Sequence, residues 1–229
     1  MPKHDYLFVD ESGDPGYRLD DETGRLLSSG HYAAAVLHVC DDAFGHLNEH
    51  VAAFRYFSRM SRELKLPRGQ DAAERLMEPI AMMAESSINL WASAVYLNKQ
   101  SYTGRYLKAT ELRPQDPTMF RNYVLRRLLE HHFEEYSPQS SQYDLVLDRV
   151  EMTRDKQDNL YRYLAGNYDI PTPTHITHAS SIYVDGLQIV HHIANGFRDC
   201  AFGTPVPDGL SFVSAQDITT LQDSRSGQE

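Results

Sequence analysis

The sequence is poor in several features that mark particular protein classes. Its 229 residues include two cysteines, Cys40 and Cys200, too few and too far apart for a disulfide framework or a zinc-ribbon spacing. No apolar run approaches the roughly 20 residues of a membrane span, and the N-terminal segment turns acidic before a signal-peptide core can form. These absences argue against secretion, membrane insertion and a zinc-finger class. We therefore expect a cytoplasmic protein that does not contact membranes.

Positive charge is also scarce, with 22 lysines and arginines against 32 acidic residues and a net charge of −10. This balance argues against a protein that coats nucleic acid, because phosphate binding depends on clustered positive charge. The deficit is uneven: residues 1–23 hold two basic and seven acidic residues, whereas residues 55–68 hold five basic residues and one acid. The second segment is a candidate track for a phosphate backbone, although a solvated helix face has the same composition.

Hydrophobic periodicity and turn residues predict a chain of strands and helices. The predicted order is β, β, α, α, β, α, β, α, β, α, at residues 6–9, 32–39, 41–60, 72–84, 88–97, 117–133, 143–148, 156–164, 174–178 and 184–194. Asn195 and Gly196 form a typical helix stop, so we expect the last helix to end at Ala194. The pattern indicates an α/β fold with a mixed sheet flanked by helices. It predicts one domain over residues 1–204 and a partly disordered tail over residues 205–229.

Two predicted strands lead directly into an aspartate, Asp10 after the first strand and Asp148 after the strand at 143–148. Ligands of open α/β sheets gather at the carboxyl ends of strands, so these carboxylates can converge. A converging pair needs a cation or a shared proton, and Mg²⁺ or Mn²⁺ held by carboxylates supports phosphodiester cleavage. A turn-initiating role for either aspartate is the alternative. Glu11 faces away from Asp10 in a regular strand and joins this site only if the chain turns there.

The basic segment offers side chains that would hold a nucleic-acid strand by its phosphates. Arg55, Arg59 and Arg62 share one helix face, at i, i+4 and i+7, if the helix continues that far. Tyr56 and Phe57 are aromatic side chains that could stack on a base, but their place in the predicted apolar stripe of this helix favours packing in the core. The candidate phosphate contacts are Arg55, Arg59, Arg62, Lys65, Arg126 and Arg127.

The last predicted helix carries two adjacent histidines, His191 and His192. Either one can share a helix face with Gln188, three or four residues earlier. Imidazole is a general acid or base near neutral pH and a common metal ligand. Because a helical histidine is also often a plain surface residue, its spacing alone assigns no role.

Four short motifs, taken in order, resemble a known family. They are Phe8-Val9-Asp10-Glu11-Ser12-Gly13, Glu63-Leu64-Lys65, Leu147-Asp148 and Gly186-Leu187-Gln188-Ile189. This order and spacing, over roughly residues 4–197, resemble the prokaryotic and phage-associated family called domain of unknown function 3800. The resemblance implies a ribonuclease H-like fold and a metal-dependent nuclease, often in a mobile-element or phage-defence setting.

The resemblance also assigns roles to individual residues. It implies that Asp10, Glu63 and Asp148 hold one or two Mg²⁺ or Mn²⁺ ions. The last helix of the family ends its motif in Asp, and His191 stands at that position here, with His192 or Asp185 as substitutes. His191 would complete the metal site or transfer a proton.

We therefore expect a hydrolase that cleaves DNA or RNA by a two-metal-ion mechanism. One alternative is a non-catalytic adaptor that retains the fold and binds nucleic acid or protein. Another is phosphate-transfer or phosphatase chemistry on nucleotides, which the same acids would serve.

Overall fold

The computed structural model describes residues 4–60, 64, 70–86, 89–109, 114–138, 142–148, 154–166 and 170–220, leaving aside the side chains of residues 70–73. The strands in these residues are β1 (Asp5–Ser12), β2 (His31–Val39), β3 (Leu90–Asn98), β4 (Tyr143–Asp148), β5 (His175–Ala179) and β6 (Ser214–Asp217). The α-helices are α1 (Asp41–Ser58), α2 (Gln70–Glu85), α3 (Pro117–Glu135), α4 (Arg154–Leu164) and α5 (Asp185–Cys200). Short 3-10 turns span Ser181–Tyr183 and Asp208–Leu210.

The strands form one mixed sheet in the order β5-β4-β1-β2-β3-β6. β1, β2 and β3 make an antiparallel meander. β4 pairs parallel to β1, β5 parallel to β4 and β6 parallel to β3. The predicted α/β class with a mixed, helix-flanked sheet is confirmed.

Helices cover both faces of the sheet and divide the core in two. α1, α2 and α5 pack on one face against alternate strand residues that include Phe8 and Leu37. α3 and α4 pack on the other face against Leu7, Val9 and their neighbours. β2 is buried at every position because it lies inside the sheet with helices on both sides.

α1 differs from its prediction at its carboxyl end. The helix ends at Ser58, because Arg59 adopts the left-handed backbone conformation with φ 54°. The predicted burial of Phe57 is wrong: its side chain is 78% exposed. Six residues advance a helix by about 600°, which turns Phe57 about 120° away from the buried Val51.

α5 is longer than predicted, because it continues through Asn195 and Gly196 to Cys200. Gly196 has a packing role instead: a Cβ there would lie 2.4 Å from Cδ1 of Leu210. The segment that contains Leu210 leads into β6, an element beyond residue 205 for which the sequence carries no clear signal. Tertiary contact therefore overrides the local stop signal.

Among the described residues, no helix combines the length and the apolar character needed to cross a bilayer.

Candidate active site at the carboxyl ends of β1 and β4

The first feature of the site is the pairing of β1 with β4. These strands run parallel, with Val9 opposite Leu147, so Asp10 and Asp148 are the next residues on adjacent strands. Adjacent strands lie about 4.8 Å apart. Asp10 is two residues after Phe8, and Asp148 is two residues after Val146. Because side chains alternate along a strand, both aspartates lie on the sheet face that packs against α5. The structure thus brings together the two strand-end aspartates.

Asp10 is held by a hydrogen-bond chain that begins and ends on β1. His191 donates from Nδ1 to Oδ2 of Asp10 at 2.7 Å, and the backbone N–H of Glu11 donates to Oδ1 at 2.7 Å. Asn195, one turn after His191 on α5, donates from Nδ2 to Nε2 of His191 at 2.9 Å. Its Oδ1 accepts from the Ser12 hydroxyl at 2.6 Å. Because Nε2 accepts, the neutral imidazole carries its proton on Nδ1 and directs it at Asp10.

Asp148 is joined to the same helix through Gln188. The backbone N–H of Ser181 donates to Oδ1 of Asp148 at 3.1 Å, and the carbonyl of Ser181 accepts from Nε2 of Gln188 at 2.6 Å. Oε1 of Gln188 accepts from the N–H of Leu64 at 2.9 Å and from Nη2 of Arg55 at 3.0 Å. The buried Gln188 amide therefore connects α1, Leu64 and the turn that supports Asp148.

The Leu64 backbone is fixed at both of its polar atoms. Gln188 accepts from its N–H, and its carbonyl accepts from Nε2 of His192 at 3.0 Å. Burial lowers the pKa of His192 below its ordinary value, which keeps the ring neutral with its proton on Nε2. His192 thus acts here as a backbone anchor. Glu63, the predicted third acid, lies outside the described residues.

Glu11 lies on the opposite face of the sheet from Asp10. β1 remains regular through Ser12, so consecutive side chains alternate and the turn needed to bring Glu11 into the site does not form. Nε of Arg121 on α3 lies 2.6 Å from each carboxylate oxygen of Glu11. Burial raises the pKa of Glu11 although Arg121 opposes this shift. Glu11 is an ion-pair residue of the α3 face and is not brought together with Asp10.

The predicted phosphate contacts are also dispersed. Arg55 points back into the fold, where Nη2 lies 2.5 Å from Oδ1 of Asp185. Arg59 is exposed beyond the end of α1, so the predicted shared helix face does not form. Arg62 and Lys65 lie outside the described residues.

Arg126 and Arg127 belong to α3, on the other side of the sheet. Arg126 is 4% exposed, and its guanidinium lies over the rings of Tyr123 and Tyr163 at 5.2 and 5.9 Å. Nη1 of Arg127 lies 2.7 Å from Oε2 of Glu130. Neither arginine is positioned to hold a strand beside Asp10, because the sheet separates α3 from that site.

The donor set beside α5 suits a hard divalent cation. Two adjacent carboxylates repel unless a cation or proton lies between them. Each oxygen of Asp10 accepts one of the hydrogen bonds described, and a carboxylate oxygen has two lone pairs. Accepting capacity therefore remains at Asp10 for a ligand bond to Mg²⁺ or Mn²⁺, whose preferred donors are such oxygens.

A second group of metal-binding side chains lies elsewhere. One atom each from Asp5, His38 and Cys40 come within 4.8 Å of one another, and all three residues are buried. Such a group can bind a metal ion, but its burial keeps it from a polymeric substrate.

Comparison with known proteins places the fold. No protein-family model matches the sequence, and no curated protein matches it. Among solved structures, the chain is similar to the ribonuclease H2 from Pyrococcus horikoshii OT3, with a TM-score of 0.53 and 12% identity, over 87% of this chain and 74% of that one. The fold is ribonuclease H-like.

In this ribonuclease H-like fold, three positions of the site could not be recognised from the residues alone. Asn195, followed by Gly196, has the sequence of a helix end, which hides its role. Its spacing of four residues from His191 could have revealed that the two side chains share a helix face. Ser181 acts through its backbone N–H, which no residue type reveals. Gly186 permits close contact, since a Cβ there would lie 2.3 Å from Cδ2 of Phe8.

Proposed function

We propose that this protein is a metal-dependent nuclease that hydrolyses phosphodiester bonds of nucleic acid with Mg²⁺ or Mn²⁺. The observation that carries the proposal is the adjacency of Asp10 and Asp148 at the ends of two parallel strands, on the face covered by α5. The ribonuclease H-like fold and the motif resemblance to the domain of unknown function 3800 family support it. That resemblance also suggests a phage-defence or mobile-element setting.

Asp10 and Asp148 would hold the metal, with Glu63 as a third carboxylate. Glu63 is adjacent in sequence to Leu64, whose backbone is bonded to Gln188 and His192 of α5. The bound ions would activate water for attack on the phosphodiester and stabilise the charge on the leaving oxygen. Asp10 and Asp148 would then fix the position of the scissile phosphate relative to α5.

His191 would act through Asp10. Both of its ring nitrogens take part in hydrogen bonds, Nδ1 to Asp10 and Nε2 from Asn195. This arrangement favours orientation of the Asp10 carboxylate or movement of a proton over direct metal ligation. An imidazole bonded to a ligating carboxylate also limits the charge repulsion in the site, which suits the replacement of the Asp usual in the family by His191.

Contacts to the nucleic acid would come from the end of α1 and the turn before α5. Tyr56 and Phe57 are 80% and 78% exposed, and Arg59 follows them on the surface. Tyr183, two residues before the Asp185 that pairs with Arg55, is also exposed. Exposed aromatic rings stack on unpaired bases, and a nearby arginine binds phosphate without reading sequence.

The test is cleavage of single-stranded DNA, RNA, a hybrid duplex and free nucleotides with Mn²⁺ or Mg²⁺. We expect metal-dependent cleavage of at least one polymer and its loss in Asp148→Asn. Asp144→Asn is the matched control, because Asp144 lies on the same strand but pairs with His4 and His175. Unchanged cleavage in Asp148→Asn, or equal loss in both variants, would contradict the proposal.

The adaptor alternative rests on His191, which departs from the Asp of the family motif. Calorimetric titration with Mn²⁺ separates the two functions. Heat of binding that disappears in Asp10→Asn supports the nuclease. Nucleic-acid binding without measurable metal binding supports the adaptor.

A further inference from the structure

The buried group of Asp5, His38 and Cys40 lies far from the proposed nuclease site. Asp5 begins β1, His38 is the next-to-last residue of β2, and Cys40 follows β2 directly. Five residues of strand separate Asp5 from Asp10, or about 17 Å. The group also lies on the other face of the sheet, since His38 is bonded to His132 of α3. The two sites are therefore independent.

Three different metal-ligand types converge in this group. One atom each from Asp5, His38 and Cys40 lie within 4.8 Å of one another, and the residues are no more than 1% exposed. Nε2 of His38 lies 3.2 Å from Oδ2 of Asp5. Two ligands of a tetrahedral zinc ion, each bonded at about 2.0 Å, are separated by about 3.3 Å. The spacing suits metal ligation as well as it suits a hydrogen bond.

The second ring nitrogen of His38 has a hydrogen-bond partner, as a metal-ligating histidine needs to hold its orientation. Nδ1 of His38 lies 2.9 Å from Nε2 of His132, and Nδ1 of His132 lies 2.9 Å from Oγ of Ser93. If each Nδ1 donates along this chain, Nε2 of His38 has a lone pair directed at Asp5, and either a cation or the proton of a neutral Asp5 carboxyl must lie between them. The reverse order of protons places a hydrogen on Nε2 and needs no cation. Metal binding would select the first order.

A divalent cation at this position would compensate the charge of both the Asp5 carboxylate and a Cys40 thiolate. A mixed carboxylate, imidazole and thiolate set is typical of Zn²⁺, whereas Mg²⁺ prefers oxygen donors alone. We propose that Asp5, His38 and Cys40 hold a structural zinc ion. The second oxygen of Asp5 or a buried water would take the fourth position, and Cys40 would lose its thiol proton on binding.

The ion would tie together three parts of the fold. Asp5 starts β1, His38 is the next-to-last residue of β2, and Cys40 is the N-cap residue of α1. Its loss should therefore lower stability without removing the carboxylates at Asp10 and Asp148.

The test measures zinc in protein purified and dialysed without chelator. We expect about one zinc per chain in the wild type, in Cys200→Ser and in the nuclease variant Asp148→Asn. His38→Gln and Cys40→Ser should lose it. Equal zinc in Cys40→Ser and the wild type would overturn the proposal, as would its absence from the folded wild type.

A spectrum keeps the test decisive if Cys40→Ser does not fold. Cys200→Ser leaves Cys40 as the only thiol of the chain. After growth with Co²⁺ in place of zinc, this variant should show thiolate-to-cobalt charge-transfer absorption in the near ultraviolet. A cobalt-grown Cys200→Ser protein without that band overturns the proposal, because no thiolate then binds the metal.

Discussion

Nδ1 of His191 on α5 lies 2.7 Å from Oδ2 of Asp10 on β1, although 181 residues separate them. The contact depends on how closely α5 packs on the sheet, because the imidazole reaches the carboxylate only if helix and strand approach each other. Gly186 permits that approach at the start of α5, and Asn195 holds the ring from the following turn.

Replacing His191 by Ala should reduce metal-dependent cleavage about 10- to 100-fold, the usual effect of removing a residue that orients a metal ligand. The loss should shrink as Mn²⁺ is raised, because a misoriented Asp10 weakens metal binding more than chemistry. The measurement is kcat/KM over a range of Mn²⁺ concentrations. His175→Ala is the control, since His175 also bonds an aspartate, Asp144 at 3.0 Å, but away from the site. Equal effects of the two substitutions would contradict the positioning role.

Gly186→Ala should destabilise the fold by about 1–3 kcal/mol, as overpacking of a core does. The added Cβ would meet Cδ2 of Phe8 at 2.3 Å and push α5 off β1. Gly45→Ala is the matched control on α1, where a Cβ meets nothing within 4 Å. The control should be neutral or stabilise by up to about 1 kcal/mol. Urea unfolding measures the free energy of unfolding of both variants. Equal changes in the two variants would show that Gly186 is not needed for the close approach of α5 to β1.

Gln188→Met keeps the approximate volume of the side chain but removes its three hydrogen bonds. It should cost about 1–3 kcal/mol for each buried group left unsatisfied, chiefly the N–H of Leu64. Cleavage should fall with stability, because Ser181 and Leu64 lose a common anchor. Thermal unfolding and cleavage rates check this, with the exposed Gln100→Met as reference. A loss of stability no larger than that of Gln100→Met would argue against the role of Gln188 in connecting Leu64 and Ser181.

Lys99 should make the free energy of unfolding rise with pH. Its buried Nζ donates to the carbonyls of Asp14 and Gly16 at 2.6 and 2.7 Å, and burial lowers its pKa from 10.5 to about 8. Between these values the unfolded chain binds more protons than the folded one. The free energy of unfolding of the wild type should therefore rise as the pH increases from about 8 to 10.5. This gain is lost when the pH falls back through about 8.

The comparison for Lys99 is Lys99→Met, which cannot titrate there. The difference in unfolding free energy, wild type minus variant, should grow by at most about 3 kcal/mol between pH 8 and pH 10.5. Chemical denaturation at several pH values measures it. A flat difference would show that Lys99 titrates alike in both states.

Most strands and helices follow from local patterns. The strand at residues 143–148 agrees with β4, and α3 begins at the predicted Pro117, where Asp116 accepts from the N–H of Met119. Alternation along β1 also decides the faces of Asp10 and Glu11 once the strand is known to stay regular. The end of that strand was open from sequence, because the turn residues after Glu11 permitted an earlier break.

Predictions from sequence were wrong where contacts with distant segments of the chain determine the local structure. Asn195 and Gly196 signal a helix end, yet α5 continues because Leu210 packs on the glycine. Arg126 is a charged residue on a helix and a candidate phosphate contact, yet it is buried and its guanidinium lies over the rings of two tyrosines.

By itself, the sequence determined the alternation of strands and helices and the presence of an aspartate at the end of two strands. Hydrophobic period and turn chemistry are local properties, so they can be read without a partner. Only the tertiary structure decided that β1 and β4 are parallel neighbours, that His191 bonds Asp10, and that Asp5, His38 and Cys40 converge. These contacts join residues that are far apart in the chain. The distance between such residues is determined by strand pairing and close packing, and their spacing along the sequence does not reveal it.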